Sequence, residues 1–231
     1  KINRKAMELL QPSSFTDILA LLPGGRTKDP ALGGVNQARL REVGVSSDDY
    51  DISSLGTSFL VNGVPINTDA NMQHVLGASQ SDHDYYRNST GKGVDMRMLS
   101  TDFIESVEVI RGIPSVEYGE LTSGVIKIQR KAGVHPWEAR VKSDPESKLV
   151  YLGKGFATNK GWIFNFGFDY LDAEIDPRNN LENYKRLTFS LRLEKTWKTG
   201  PYNVFYSTHA DYNGSFNTEK IELLFGKFYR E

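Results

Sequence analysis

From about residue 134 onward, apolar and polar positions alternate with a period of two. Trp162, Phe164, Phe166, Phe168 and Tyr170 fall on one face of a strand, against Ile163, Asn165, Gly167, Asp169 and Leu171 on the other. Leu187, Phe189, Leu191 and Leu193 alternate in the same way with Arg186, Thr188, Ser190, Arg192 and Glu194. Tyr202, Val204, Tyr206, Ala210 and Tyr212 alternate with Asn203, Ser207, His209, Asp211 and Asn213. Successive side chains of a strand point to opposite faces, so these runs predict strands of ~10 residues. Weaker versions occupy 137–142 and 149–156. Thr158-Asn159-Lys160-Gly161 and Lys198-Thr199-Gly200-Pro201 predict tight turns, and residues 172–184 a longer loop.

Short turns on one rim, longer loops on the other and ~10-residue strands with aromatic ends make up the pattern of a transmembrane β-barrel. A soluble antiparallel sandwich with one buried face would alternate as well. Five same-face aromatics, opposite faces that carry charge, favour lipid on one side and a wet lumen on the other.

Residues 1 to 133 follow a different grammar, that of a compact mixed domain. Ser13-Ser14-Phe15-Thr16-Asp17 offers N-capping side chains ahead of the apolar stretch Ile18 to Leu22, and Pro23-Gly24-Gly25 stops it, which predicts a brief helix. Phe59-Leu60-Val61 and Val64-Pro65-Ile66 flank Asn62-Gly63, a pair that tolerates positive φ and favours a tight hairpin. Ile104 to Ile110 predicts a strand with Ile104, Ser106, Glu108 and Ile110 on one side and Glu105, Val107 and Val109 on the other. Gly124 to Arg130 predicts another. Residues 67–93 are polar and too long for an ordinary connection.

Composition narrows the function. The chain has 231 residues, with 28 Lys+Arg against 29 Asp+Glu, which lacks the basic excess of a nucleic-acid binder. Zero cysteines exclude disulfides, thiolate metal sites and a cysteine nucleophile. No apolar run approaches the ~20 residues of a membrane helix. Neither a G-x-S-x-G, an H-E-x-x-H nor a Walker pattern is present around the four histidines, His74, His83, His135 and His209, so no enzyme activity is expected.

The hairpin Phe59 to Ile66 gains meaning beside Ile104-Glu105-Ser106-Val107-Glu108-Val109-Ile110-Arg111-Gly112. That block continues through Ile113-Pro114-Ser115-Val116-Glu117-Tyr118-Gly119, ahead of Gly124-Val125-Ile126-Lys127-Ile128. Together they resemble the plug domain of TonB-dependent outer-membrane receptors, whose pattern is I-E-x-x-E-V-x-R-G-x-x-S-x-x-Y-G before a G-V-I-x-I strand. Phe15 to Gly24 resembles that family's early helix and its Pro-Gly stop. The Asp- and Asn-rich stretches Ser46 to Asp51 and Asn67 to Asn71 resemble receptors of the Bacteroidetes.

The resemblance implies an α+β plug domain over 1–133, followed over 134–231 by the first antiparallel strands of a transmembrane β-barrel, about 22-stranded when complete. Some 98 residues follow Gly133 in the chain of 231, enough for five or six strands, so the sheet is expected to stay open and the chain to be truncated. Implied with it are the outer membrane of a Gram-negative bacterium and uptake of a nutrient: a glycan, a peptide or a metal chelate. TonB, with its inner-membrane motor, would pull the plug's N-terminal segment. The TonB-binding box that precedes the plug in the family is expected to be missing from a chain that starts at Lys1. Outer-membrane lipid and a surface lipoprotein are the other implied partners; no cofactor, metal or nucleic acid is. An outer-membrane binding, assembly or signalling component with the same architecture and no transport of its own is the alternative.

By the same resemblance Arg111 and Arg41 form plug-to-barrel ion pairs with barrel glutamates, and bidentate arginine pairs hold two elements in register. The family's R-G is here Arg41-Glu42-Val43-Gly44, so Glu42 competes for Arg41. Both arginines also fit plain exposed strand positions. The plug's apical loops face substrate in this family, which makes His74, Asp82, His83, Asp84, Tyr85, Tyr86 and Arg87 the candidate ligand-facing residues; a solvated loop is the plainer reading. Asp82, His83 and Asp84 are adjacent and point poorly at one ion, and Asp48, Asp49 and Asp51 lack the spacing of a calcium loop.

Overall fold

The computed structural model describes residues 1–19, 21–22, 38, 40, 57–66, 94–111, 115–118, 124–176 and 179–219, with backbone alone at 175–176, 179–182 and 217–219. The chain divides after Arg130 into two compact units.

The first unit is built on a sheet of β1 (Ile2–Asn3), β2 (Thr57–Val61), β3 (Val64–Pro65), β4 (Ile104–Arg111) and β5 (Gly124–Arg130). Its order is β1-β4-β5-β2-β3, and only β2 and β5 run parallel. The β2–β3 hairpin turns where Asn62-Gly63 predicts, with φ of 51° and 86°. Both positive values match a turn whose twist suits the flanking strands. Asn62 also ties the turn to β5, because its Oδ1 accepts from the Arg130 backbone N–H at 3.0 Å.

Two short helices, α1 (Arg4–Leu10) and α2 (Phe15–Leu19), accompany this sheet. The capping chemistry ahead of α2 is reciprocal. Ser14 Oγ accepts from the Thr16 N–H at 3.3 Å, and Asp17 Oδ2 accepts from the N–H groups of Ser13 and Ser14 at 2.8 and 3.0 Å. α1 carries no apolar run and was not legible from the pattern. It begins on an Asn3 side chain that accepts from the Ala6 N–H at 3.0 Å. Arg4 then fastens it, with Nη1 donating to the carbonyls of Thr101 and Ile104 at 3.3 Å each.

Strand β4 departs from simple alternation. Its register with β5 shifts between Ile104 and Ser106. A bulge inserts one residue and resets the phase, so Ile104 and Val107 both reach the core although they are three apart. They join Phe15, Ile18, Phe59, Ile126 and Ile128 there. The Phe15 and Phe59 rings meet edge to face, 5.9 Å apart.

Gly124 opens β5 at φ 149°, opposite Arg111. A Cβ there would collide with the Ile110 carbonyl oxygen and lie 2.9 Å from Leu40 Cδ1. The close approach at this glycine is therefore to the neighbouring strand of its own sheet. Gly124→Ala is expected to destabilise this unit by about 1–3 kcal/mol, because backbone obstructs the Cβ and cannot swing away. Denaturant unfolding checks it; a midpoint equal to that of the parent would contradict it.

The second unit is one antiparallel meander: β6 (His135–Ser143), β7 (Ser147–Ala157), β8 (Trp162–Asp176), β9 (Asn179–Thr199) and β10 (Tyr202–Glu219). Its five strands stand where the alternation predicts, and three are longer than expected. The long loop expected over 172–184 does not exist as such. β8 and β9 stay paired from Asp172↔Lys185 out to Asp176↔Asn179, leaving only 177–178 between them. In this ribbon the buried apolar side chains, Ala173 and Tyr184, lie on the face opposite the aromatic one, so the apolar phase changes at Leu171 and the alternation of the band does not carry through. Backbone pairing and side-chain contacts such as Lys185 Nζ to Asp172 at 3.5 Å sustain it instead. Among the described residues no helix is long and apolar enough to cross a membrane, a statement that does not concern strands.

Candidate functional site

The meander presents two chemically opposite faces, and the strand register says which side chains share each. On the apolar face, Leu152, Phe168, Phe189 and Tyr212 form one row across β7 to β10, and Val150, Tyr170 and Leu187 the next. Phe156, Phe164 and Leu193 lie on the other side of the first row, and Trp162, Lys195 and Tyr206 close the band. The rings pack within the face: Phe156 stacks on Phe164 at 5.4 Å, and Trp137 meets Phe166 edge on at 5.4 Å. Yet the face is open. Phe189 is 48% exposed, Leu191 52% and Tyr212 59%. A sandwich would bury these side chains, and contiguous exposed apolar surface of this kind calls for an apolar solvent or partner.

On the other face, charge is buried. Asp169 and Arg186 are both essentially inaccessible. Arg186 Nε donates to Asp169 Oδ1 at 2.8 Å, and Nη2 sits 2.7 Å from the same oxygen. Asp169 Oδ2, Thr188 Oγ1 and both amide atoms of Asn165 are buried and have no hydrogen-bond partner among the described residues. Further along, Arg192 Nε donates to Glu194 Oε1 at 2.9 Å. The alternation in β8 and β9 makes this face polar, but nothing in it says which charges meet. Asp169 and Arg186 are 17 residues apart and sit diagonally in the register. Only the pairing of β8 with β9 brings them together.

Asp144 holds the β6–β7 connection. Partial burial acts to raise its pKa, but Ser147, donating through both its hydroxyl (2.9 Å) and its backbone N–H (2.5 Å), and nearby Lys142 outweigh that and hold it below its usual 3.8. A carboxylate with a depressed folded pKa contributes stability above its unfolded value and loses it as pH falls through the folded one. Ser147→Ala is therefore expected to bring the Asp144 pKa back up and to move the acid loosening of this connection to higher pH. Carboxyl chemical shifts through an acid titration read this; an unchanged midpoint would count against the hydroxyl.

Of the candidate site residues, Arg111 is described: it ends β4, exposed, opposite Gly124. Tyr118, of the same sequence block, lies against β5. The Lys127 Nζ is 4.8 Å from its ring centre, and a hydrogen bond with Tyr118 raises the Lys127 pKa above its ordinary value. Arg41, His74, Asp82, His83, Asp84, Tyr85, Tyr86 and Arg87 lie outside the described residues, as do Asp48, Asp49 and Asp51. Among the described residues no three His, Asp or Glu side chains converge as metal ligands. The Asp169–Arg186 pair and the Trp162–Lys195–Tyr206 row were not singled out from the sequence.

An α+β domain with a mixed five-stranded sheet, followed by an antiparallel meander with one open aromatic face, is a plug followed by barrel strands. Residues 1–126 match the family described as the TonB-dependent receptor plug domain, and the chain belongs to that family. Among solved structures, the siderophore receptor PirA from Acinetobacter baumannii superposes with a TM-score of 0.61 at 19% identity, over 93% of this chain and 31% of that one. A mutant of the ferric enterobactin receptor PfeA from Pseudomonas aeruginosa, in complex with enterobactin, gives 0.59 at 16% identity, over 93% and 33%. PfeA in complex with BCV-L6 gives 0.57 at 16%. At these identities the likeness is one of fold. The chain spans about a third of the length of these receptors. No curated protein matches it.

Proposed function

We propose that this chain is the plug and the first barrel strands of an outer-membrane TonB-dependent receptor that takes up a nutrient by energised displacement of the plug. The observation that carries the reading is the succession of the two units: a plug-family sheet domain, then strands whose aromatic face is open. From Trp162 to Tyr170 the apolar band covers nine residues, about 26 Å of strand at ~3.3 Å per residue. Strand tilt shortens that, and Trp197 and Tyr202 beyond it lengthen it, so the band suits the ~25 Å of a barrel in its membrane. The polar face lines the lumen side. Arg111, and Arg41 with it, lock the plug to the wall through barrel carboxylates, and the segment from His74 to Arg87 faces the substrate.

TonB and its motor, acting on the N-terminal side of the plug, supply the work, so the mechanism is mechanical remodelling without a covalent step. The substrate is a glycan, a peptide or a metal chelate; the siderophore and ferric enterobactin receptors of like fold put the chelate first in order of testing. A strain lacking the gene is expected to fail on one such source and to recover when the gene is restored. Finding the protein outside the outer-membrane fraction, or growth undiminished on every source, would remove this reading.

A further inference from the structure

The row at the end of the apolar band sets a lysine between two aromatic side chains of adjacent strands, whereas Lys154, within the band, lies over Trp137 of β6. Trp162, Lys195 and Tyr206 are directly paired across β8, β9 and β10. The Lys195 ammonium sits 4.7 Å from the Trp162 ring centre, and the Tyr206 ring meets the same indole edge on at 6.1 Å. A cation held on an aromatic face keeps N–H groups free to point away from it. Lys195 has no carboxylate partner among the described residues, and neither the indole N–H nor the phenol has a hydrogen-bond partner there. Three adjacent strands thus offer an ammonium, an indole N–H and a hydroxyl on one face, with no protein acceptor.

The surroundings select an anion that is also apolar. The next row inward is Phe164 and Leu193, with Phe156 stacked on Phe164. The two adjoining turns, 158–161 and 198–201, contribute Lys160 and Lys198 and contain neither Asp nor Glu. The opposite end of the strands carries Asp144, Glu146, Asp172 and Glu174, and there Lys142 and Lys185 are neutralised at 3.5 Å by Asp144 and Asp172. At the turn-bearing rim, by contrast, Lys160, Lys195 and Lys198 have no carboxylate partner among the described residues. The backbone N–H groups of β8 and β9, each paired on both sides, are spent on the sheet ladder, so around Trp162 and Lys195 a small free anion would find no backbone cradle.

We propose that Trp162, Lys195 and Tyr206 bind the phosphate headgroup of an anionic phospholipid, with its acyl chains along Phe164 and Leu193. This rests on the membrane-barrel reading given above. The site takes a lipid from the leaflet at the turn-bearing rim, and it holds that rim at headgroup depth, where amphipathic aromatics and lysines settle.

The test uses the complete protein, purified in non-ionic detergent and offered phosphatidylglycerol or phosphatidylethanolamine with identical acyl chains, with retained lipid counted by native mass spectrometry. The parent is expected to retain phosphatidylglycerol preferentially. Lys195→Ala should retain about fivefold less of it, the factor for one basic residue at a lipid surface, with phosphatidylethanolamine unchanged. Lys195→Arg should keep the preference, and Trp162→Phe, which keeps a ring but loses the N–H, should weaken it. Heat-modifiable mobility on gels confirms that each variant is folded. Equal retention of both lipids, or retention indifferent to Lys195, overturns the site while leaving the barrel intact. Displacement of the lipid by millimolar inorganic phosphate overturns the lipid assignment. A protein that takes up neither lipid and needs no detergent overturns the barrel reading and the site with it.

Discussion

Arg186→Met is expected to destabilise the strand unit by about 3–5 kcal/mol, the usual cost of leaving a buried charge without its partner. Asp169 is fully buried, one of its oxygens already lacks a hydrogen bond, and the other is held by Arg186. Removing the guanidinium leaves that carboxylate in a low-dielectric setting, with an unpartnered Thr188 hydroxyl as the nearest relief in the register. Neutralising both members reverses the logic. Asp169→Leu with Arg186→Met removes the desolvation cost together with the attraction, and such exchanges are often neutral or stabilising. The double variant should therefore recover most of the loss. Unfolding midpoints of the complete protein in detergent decide it, and a single variant as stable as the parent would show that water reaches this face.

The second large effect belongs to the plug. Arg97 and Asp95 are each 1% exposed, at the short 3-10 turn of Met96–Met98. Arg97 Nε and Nη2 donate to Asp95 Oδ2 at 3.0 and 2.9 Å, while Asp95 Oδ1 accepts from the Arg97 backbone N–H at 3.0 Å. One carboxylate thus caps the turn and pairs with the arginine inside it. Arg97→Met is expected to cost about 3–5 kcal/mol by taking the two-pronged guanidinium away from a buried carboxylate, whereas Arg97→Lys should recover only part, because an ammonium cannot reproduce that contact. Amide exchange localises the effect: protection should fall across 94–104 and persist in β7 to β9. Unchanged protection over 94–104 would mean the pair contributes nothing to holding this turn.

What could be read from the chain follows the strength of its periodicities. β8, β9 and β10 announce themselves because one face of each is largely aromatic or aliphatic, and the shorter β6 and β7 follow with a weaker version of the same period. The β2–β3 hairpin is legible from Asn62-Gly63, since few other pairs take positive φ twice. The ribbon beyond Asp172 and Tyr184 reads as loop because its apolar side chains change face at Leu171 and turn residues such as Pro177 and Asn180 follow, which breaks the alternation. The bulge in β4 is silent too, as a one-residue insertion looks like ordinary alternation until the partner strand fixes the count. α1 escaped notice because it buries only Met7 along its length.

Candidate chemistry divides in the same way. Arg111 stands out through its place in a spaced block of motifs, and Tyr118 of that block does lie against β5. Asp95 with Arg97, Asp169 with Arg186, and Trp162 with Lys195 and Tyr206 stand in no motif. Local spacing cannot tell a buried arginine from a solvated one, and partners 11 to 44 positions apart meet only through strand register.

Periodicity and motif spacing establish the two-unit order, the plug family and the alternation that gives the second sheet one apolar and one polar face, because side-chain direction in a strand is set by the backbone alone. Which charges on the polar face are buried and paired, and which lysine on the apolar face lies between two aromatic rings, emerges from the folded sheet. Those outcomes depend on how far each strand is slid against its neighbour, and a slide of one residue would exchange the faces.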